Sequence, residues 1–138
     1  MMRRINRALS RSLAADRRGS TAAEFALTLP IFAMLIFSFF NIARVYNGRA
    51  GVLNGLGDAA RVATLWPLRP QADMTAAFND RAFGLVDGEV PSLSYATGTV
   101  NGQNFVDITV TYTPVINFFL IEVSPITLTY SRRAFRPA

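Results

Sequence analysis

The chain of 138 residues contains no cysteine and no histidine. Without cysteine it has neither a disulfide framework nor a thiol nucleophile. Without histidine it lacks the commonest general base and the commonest metal ligand, and a Ser-His-Asp arrangement is impossible. The acidic residues are few and scattered along the sequence. These absences predict a protein with no catalytic residues, no metal site, no cofactor and no small-molecule substrate.

Net charge is also missing from most of the chain, although the total is +5. Six arginines and one acid precede Gly19, whereas eight arginines and eight acids follow it, so the whole excess lies in the first nineteen residues. A nucleic-acid-binding domain would carry its basic surface on the folded part. The distribution therefore predicts that nucleic acid is not a partner.

The arginine-rich segment, residues 1–19, has two interpretations. Ile5, Leu9 and Leu13 recur at helical spacing, which is typical of a basic amphipathic helix on an anionic membrane surface. The alternative is a disordered tail whose charge only sets the membrane topology. In both interpretations the segment is separate from the folded domain.

An apolar run from Phe25 to Ala43 comprises nineteen residues without a charge. A helix of that length crosses a hydrocarbon core of about 30 Å, and large apolar side chains occupy all its sides, whereas a soluble helix shows a polar face. We therefore expect a transmembrane helix over residues 20–44. The run is longer than the roughly 7–15 residues of a secretory signal, and no small-x-small junction follows it, so we expect a retained anchor.

The arginines flanking the run predict its orientation. Six precede it, and only Arg44 and Arg49 follow closely. Positive residues concentrate on the cytoplasmic side. The N-terminus is therefore expected in the cytoplasm and residues 45–138 outside it, as in a single-pass membrane protein.

The helical pattern continues beyond the membrane run. Apolar residues recur at intervals of three, four and seven, which predicts one helix from about residue 21 to 65. Pro67 and Pro70 are expected to end it. A shorter helical pattern covers residues 73–86. The apolar positions of the long helix are Val45, Val52, Leu53, Leu56, Ala60 and Ala63, and those of the short one are Met74, Ala77, Phe78, Ala82 and Leu85.

Beyond Gly88 the period changes to two. Phe105–Tyr112 alternates, with Val106, Ile108, Val110 and Tyr112 on one face. Asn101-Gly102 predicts a hairpin with Leu93–Thr99 as the partner strand. A third strand is expected over Ile126–Phe135, with Leu128 and Tyr130 on one face, and residues 114–125 are expected to form a buried excursion or short helix. The predicted fold class is α+β, a long N-terminal helix packed on a small antiparallel sheet.

Glu24 lies immediately before the apolar run, where an ionisable residue suggests a function. A structural alternative is a capping box, because Thr21-Ala22-Ala23-Glu24 has the required spacing. Pro30, inside the membrane helix, also has two interpretations. It is either a tolerated kink or a flexible joint at which the helix bends.

A basic leader, Gly19, Glu24 five residues later and an unbroken apolar helix together resemble the class III leader of type IV pilins and pseudopilins. The resemblance implies a pilin-like fold and cleavage between Gly19 and Ser20 by a prepilin peptidase, with residues 1–19 removed. Ser20 and Glu24 are one helical turn apart. The carboxylate could then pair with the freed amino group of its own chain or of a neighbouring subunit.

The stretch RRGSTAAEFALTLPIFAML is similar to the start of TadE-like proteins, minor pseudopilins of the Flp (tight-adherence) pilus. The Ala/Arg-rich segment Gly57–Leu65 and the terminal ITLTYSRRAF are also similar. Asn41 stands where the family often has glutamate, and Ser20 stands where major pilins commonly have Phe or Met. The resemblance implies a role in pilus assembly, with a prepilin peptidase, other pilins or TadE-like pseudopilins, and the lipid bilayer as partners.

Two other functions are compatible with parts of the sequence. One is a permanent bitopic membrane protein, uncut at Gly19, whose outer domain binds a partner. The other is a membrane-tethered enzyme or nucleic-acid binder, which the missing histidine and cysteine and the neutral mature domain disfavour. A minor pilin is favoured over a major one, because Flp-type major pilins are much shorter.

Overall fold

The computed structural model describes residues 18–86, 88–118, 121–122 and 124–137. The alternatives for the basic leader fall mainly on residues 1–17, which lie outside the described residues. The elements are helix α1 (Arg18–Ala63), helix α2 (Gln71–Arg81) and strands β1 (Ser92–Val100), β2 (Gln103–Tyr112), β3 (Asn117–Phe118), β4 (Ile121–Glu122) and β5 (Leu128–Phe135). The predicted α+β class is confirmed.

Helix α1 continues without interruption through Pro30. It ends at Ala63, close to the predicted end. The hydrogen bonds at this end span three residues instead of four, so the last turn is tighter than an α-helical turn. The amide of Thr64 donates to the carbonyl of Arg61 at 3.1 Å, and that of Leu65 to Val62 at 3.2 Å. Such i→i+3 bonds satisfy carbonyls that lose their helical partners. The chain divides into two compact units between Ser38 and Phe39, and the domain described next belongs entirely to the second.

A three-stranded antiparallel sheet has the order β1-β2-β5. Val100 pairs with Gln103, so the β1–β2 turn consists of Asn101 and Gly102 alone. Both have positive φ, 51° and 77°, as a type I′ turn requires. The predicted hairpin is confirmed, and each of its strands is two residues longer than expected.

The domain core lies between the sheet and the two helices. The four β2 residues predicted to share a face are all buried, and Met74 and Phe78 of α2 are buried beside them. Leu53 is an exception, because it is 39% exposed and does not belong to the buried face of α1. The core consists of Val52, Leu56, Ala59, Ala60, Ala63, Met74, Phe78, Val106, Ile108, Val110, Tyr112 and Ala134.

Other predicted boundaries also differ from the structure, and helix α2 begins at Gln71 rather than Asp73. Helix α2 stops at Arg81, since Ala82 is extended and Gly84 has a φ of +70°, although Ala82 and Leu85 still pack on the core. Strand β5 begins at Leu128 rather than Ile126. Within 114–125, the predicted short helix is wrong, because β3 pairs antiparallel with β4. This segment contains several β-branched residues, which favour extended backbone.

Two glycines bring α1 close to α2 and to the segment that follows it. A Cβ on Gly55 would lie 2.8 Å from the carbonyl oxygen of Phe78, and one on Gly51 would lie 2.6 Å from the amide nitrogen of Phe83. Glycine inside a helix costs roughly 1 kcal/mol relative to alanine. At these positions the cost is offset by a packing distance that no larger residue permits.

Candidate functional site: the Gly19–Glu24 segment and the apolar helix

Gly19 and Ser20 are exposed near the start of the described part of α1. The Ser20 hydroxyl donates to Oε1 of Glu24 at 3.3 Å. The prediction that Ser20 and Glu24 share a helix face is therefore confirmed. Among the described residues, nothing lies within 4 Å of a Cβ built on Gly19, so contacts in this part of the chain do not explain the glycine.

The capping box predicted as the structural alternative for Glu24 does not form. A capping residue must precede the helix, but α1 already includes Arg18, three residues before Thr21. The Glu24 carboxylate contacts Ser20 instead. Among the side chains that the structure describes, none forms an ion pair with Glu24. The carboxylate thus remains available to a cationic group at Ser20.

Two polar side chains within the apolar run, those of Thr28 and Ser38, bond to the backbone of their own helix. Thr28 donates to the carbonyls of Glu24 at 3.1 Å and Phe25 at 3.0 Å, and Ser38 donates to Met34 at 2.8 Å. Such bonds allow hydroxyl groups to enter lipid. Pro30 has no amide to donate one turn back. A bend at this position stays a prediction.

The run itself exposes its large apolar side chains, since Leu27 is 74% exposed and Phe40 is 69% exposed. Among the described residues, one helix is long and apolar enough to cross a membrane. It is compatible with a single-pass anchor. The exposed large residues of the run are Phe25, Leu27, Leu29, Ile31, Phe32, Leu35, Ile36, Phe37, Phe39, Phe40 and Ile42.

A buried carboxylate in the second unit was not foreseen from the sequence. Glu89 is 5% exposed. It accepts hydrogen bonds from the Val115 amide at 2.7 Å, the Tyr112 hydroxyl at 3.1 Å and the Val86 amide at 3.2 Å. Nη2 of Arg44 lies 3.8 Å from its Oε1, and Arg44 also donates to the carbonyl of Val115. We call Arg44, Glu89, Tyr112 and Val115 the Glu89 cluster.

The Glu89 cluster joins four separate stretches of chain: α1, the segment after α2, the end of β2 and the segment that follows it. A buried carboxylate is tolerated when it is paired and hydrogen-bonded, and three donors with a guanidinium meet that requirement. Burial, with the hydrogen bond and charge of Glu89, raises the pKa of Tyr112 to about 12. Glu89 lies in a loop without periodicity, so no sequence pattern indicated it.

The Ala/Arg-rich segment has a structural explanation. Ala59, Ala60 and Ala63 are buried against the core. Asp58 forms ion pairs with Arg61 at 2.9 Å and with Arg81 of α2 at 3.4 Å. The pKa of Asp58 lies below its usual value, chiefly because Asp58 accepts a hydrogen bond from Arg61. The segment therefore positions α2 against α1.

These features define a class of protein with one candidate membrane helix that continues into a small α+β domain. The model of the family described as TadE-like protein matches residues 19–61, which lie within α1. Over these residues the match agrees with the resemblance to TadE-like proteins that the sequence indicated. No curated protein and no solved structure matches the chain significantly. The family match and the apolar helix together suggest a membrane protein associated with the Tad pilus.

Proposed function

We propose that this chain is a non-enzymatic minor pseudopilin that takes part in assembly of a Flp/Tad-type pilus. In this proposal it is anchored in the bacterial inner membrane and processed by a prepilin peptidase. The observation that carries the proposal is the family match to residues 19–61. The matched segment includes Gly19, Ser20, Glu24, Pro30 and the whole exposed apolar run.

Cleavage between Gly19 and Ser20 would have two chemical consequences. It removes the six leader arginines and the net charge of +5, and it frees an α-amino group on Ser20. The contact of 3.3 Å between the Ser20 hydroxyl and Glu24 supports pairing of that amino group with Glu24. An unpaired carboxylate in lipid is costly, so pairing between neighbouring subunits would favour one docking register.

The outer domain would contribute binding surfaces for other pilins or TadE-like pseudopilins. Its membrane-proximal sequence supports the proposed orientation. Arg44, the first charge after the run, is paired with Glu89, so the net positive charge next to the outer end of the run is reduced. The six leader arginines remain on the other side, as the positive-inside rule requires for a cytoplasmic N-terminus.

Mass spectrometry of the membrane-bound chain tests this proposal. In cells with a working prepilin peptidase, we expect a mature chain that begins at Ser20. Gly19→Val should give the full-length chain, because a branched side chain replaces the residue that lets the backbone lie extended in a protease cleft. A matched control is Gly57→Val, outside the junction, which should be cut normally. Full-length chain in the wild type would contradict processing and favour the permanent bitopic protein.

A further inference from the structure

Three arginines of the outer domain have no acidic partner among the side chains that the structure describes. Of the eight arginines after Gly19, five form ion pairs with described carboxylates. Arg49, Arg132 and Arg136 form none among the described side chains. The guanidinium of Arg49 lies 5.7 Å from the ring centroid of Tyr130. Nε of Arg136 is buried without a hydrogen-bond partner in the described part of the chain.

Two of these arginines, Arg132 and Arg136, lie on β5 and its continuation, and Arg49 of α1 lies beside Tyr130 of the same strand. Tyr130, Arg132, Ala134 and Arg136 are alternate residues of β5 and its continuation, so they share the face that packs against α1. The amide of Arg136 donates to the carbonyl of Asn104 at 2.8 Å, which extends the ladder beyond Phe135. The arginines without a described acidic partner therefore lie along β5 and are not scattered over the domain.

Helix α1 and β5 border a groove along this row, which we call the α1–β5 seam. One cavity of about 220 Å³ is lined by Val45, Tyr46, Arg49, Leu128 and Tyr130. A second, of about 360 Å³, is lined by Gly57, Ala60, Arg61, Thr64 and Arg132–Phe135. The seam thus combines apolar walls with guanidinium groups, a mixture that is common at protein interfaces.

Strand β5 is also an edge of the sheet. It pairs with β2 on one side, and no other described strand pairs with it. An unpaired edge can accept an extended segment of another chain. The exposed Arg132 and Arg133 oppose pairing of two such edges, because like charges would face each other. These arginines do not repel a partner strand that carries carboxylates.

We propose that the α1–β5 seam binds an acidic, extended segment of a partner protein. The segment pairs with the free edge of β5. Its carboxylates contact three guanidinium groups, those of Arg49, Arg132 and Arg136. Alternate residues of a strand are about 7 Å apart, so the partner carries acids at alternate positions on one face. Arg133 is already paired with Asp107 at 2.7 Å and contributes less. This interaction does not depend on cleavage at Gly19.

The test uses the full chain in detergent micelles and a fluorescent peptide of alternating glutamate and valine. The control peptide has glutamine in place of glutamate. We expect binding of the acidic peptide only, weakened about tenfold in Arg132→Gln, since hydrogen bonds to charged groups contribute about 1.5–3 kcal/mol. Arg69→Gln is the matched control. Arg69 is exposed and pairs with Asp73 at 3.8 Å, outside the seam, so its loss should leave binding unchanged.

A charge reversal tests whether Arg132 determines which peptide charge the seam prefers. Arg132→Glu should lose the glutamate peptide and gain a peptide of alternating lysine and valine. Equal binding of the acidic peptide by wild type and Arg132→Gln, or equal weakening by Arg69→Gln, would overturn the proposal. Failure to bind the acidic peptide, with binding instead to phosphatidylglycerol vesicles, would also overturn it and assign the row to a lipid surface.

Discussion

Glu24 and Glu89 are carboxylates in opposite surroundings. Glu24 is exposed on a helix that faces lipid in the proposed function, and its one described side-chain contact is Ser20. Glu89 is buried and accepts hydrogen bonds from two backbone amides and a tyrosine. A satisfied carboxylate stabilises a fold, whereas an unsatisfied one in lipid requires a partner. The two residues therefore predict different kinds of defect when they are changed.

For Glu24, the prediction separates processing from assembly. Glu24→Gln should be cut normally after Gly19, yet pilus output and co-purification with other pilins should fall sharply, because glutamine lacks the charge that pairs with the freed amino group. Thr21→Ala is the control and should behave as wild type, since Thr21 does not cap α1. Cleavage is scored by mass spectrometry and pili by immunoblotting of sheared fractions. Normal pilus output in Glu24→Gln would refute charge pairing.

For Tyr112, the raised pKa predicts a loss of stability at alkaline pH. The unfolded tyrosine ionises near pH 10, while the folded group stays protonated until about pH 12. The stabilisation is therefore complete below pH 10 and is lost as pH rises through 12, by about 2–3 kcal/mol. The thermal midpoint should fall over this window.

Circular dichroism of Tyr112→Phe and Tyr46→Phe checks this assignment. Tyr112→Phe removes the titrating group, so its midpoint should depend less on pH, although its midpoint at neutral pH should be lower because a hydrogen bond to Glu89 is lost. Tyr46 is 64% exposed, and its replacement should leave the alkaline slope intact. An unchanged slope in Tyr112→Phe would show that another group is responsible.

At the scale of elements, α1 has glycines with different surroundings. A Cβ on Gly51 would meet the backbone of Phe83, whereas one on Gly57 would meet only the guanidinium end of Arg132, at 3.3 Å. A backbone atom in a packed core cannot move without wider rearrangement, but a flexible side chain can. The same substitution at the two positions should therefore have opposite signs.

Gly51→Ala is expected to destabilise the domain by about 1–3 kcal/mol through overpacking. Gly57→Ala should be neutral or stabilising by up to about 1 kcal/mol, because alanine is the better helix former. Thermal unfolding followed by circular dichroism compares the two. Equal stability of Gly51→Ala and the wild type would mean that α1 does not pack closely on Phe83.

Periodicity explains which elements could be predicted from the sequence. Alternation fixed the buried face of β2, Asn101-Gly102 located the hairpin, and the apolar run with helical spacing located α1. The glycines facing Phe78 and Phe83 gave no signal, because they contribute no side chain to a pattern. Leu53 fitted the helical spacing but lies off the buried face, which the glycines and alanines occupy instead.

The part of the candidate site that is formed by residues close together in the sequence could be predicted. Gly19, Ser20 and Glu24 lie within six residues, so helical geometry alone placed Ser20 beside Glu24. The Glu89 cluster joins residues 44, 89, 112 and 115, which only the tertiary fold brings together. The same applies to the α1–β5 seam. Because eight arginines and eight acids follow Gly19, counting charges predicted no excess of positive charge at this groove.

For the whole molecule, the leader charge predicts one orientation. A periplasm-dependent reporter fused after Ala138 should be active, and a cytoplasm-dependent reporter should be silent, because six arginines hold the N-terminus in the cytoplasm. Replacing the leader arginines with glutamine while keeping Arg44 and Arg49 should weaken this preference. The reverse reporter pattern in the wild type would contradict both the orientation and the pilus proposal.

The Glu89 cluster has a consequence for the order in which the chain folds. Arg44 follows the membrane run directly, but its acidic partner lies 45 residues further on, and the Tyr112 and Val115 groups that complete the cluster come later still. If residues 45–138 are exported N-terminal end first, Arg44 emerges well before these groups. Contacts so distant in sequence form late. Until Val115 has emerged, the Glu89 cluster cannot be complete, and we expect the emerging domain to be exposed to aggregation and proteolysis.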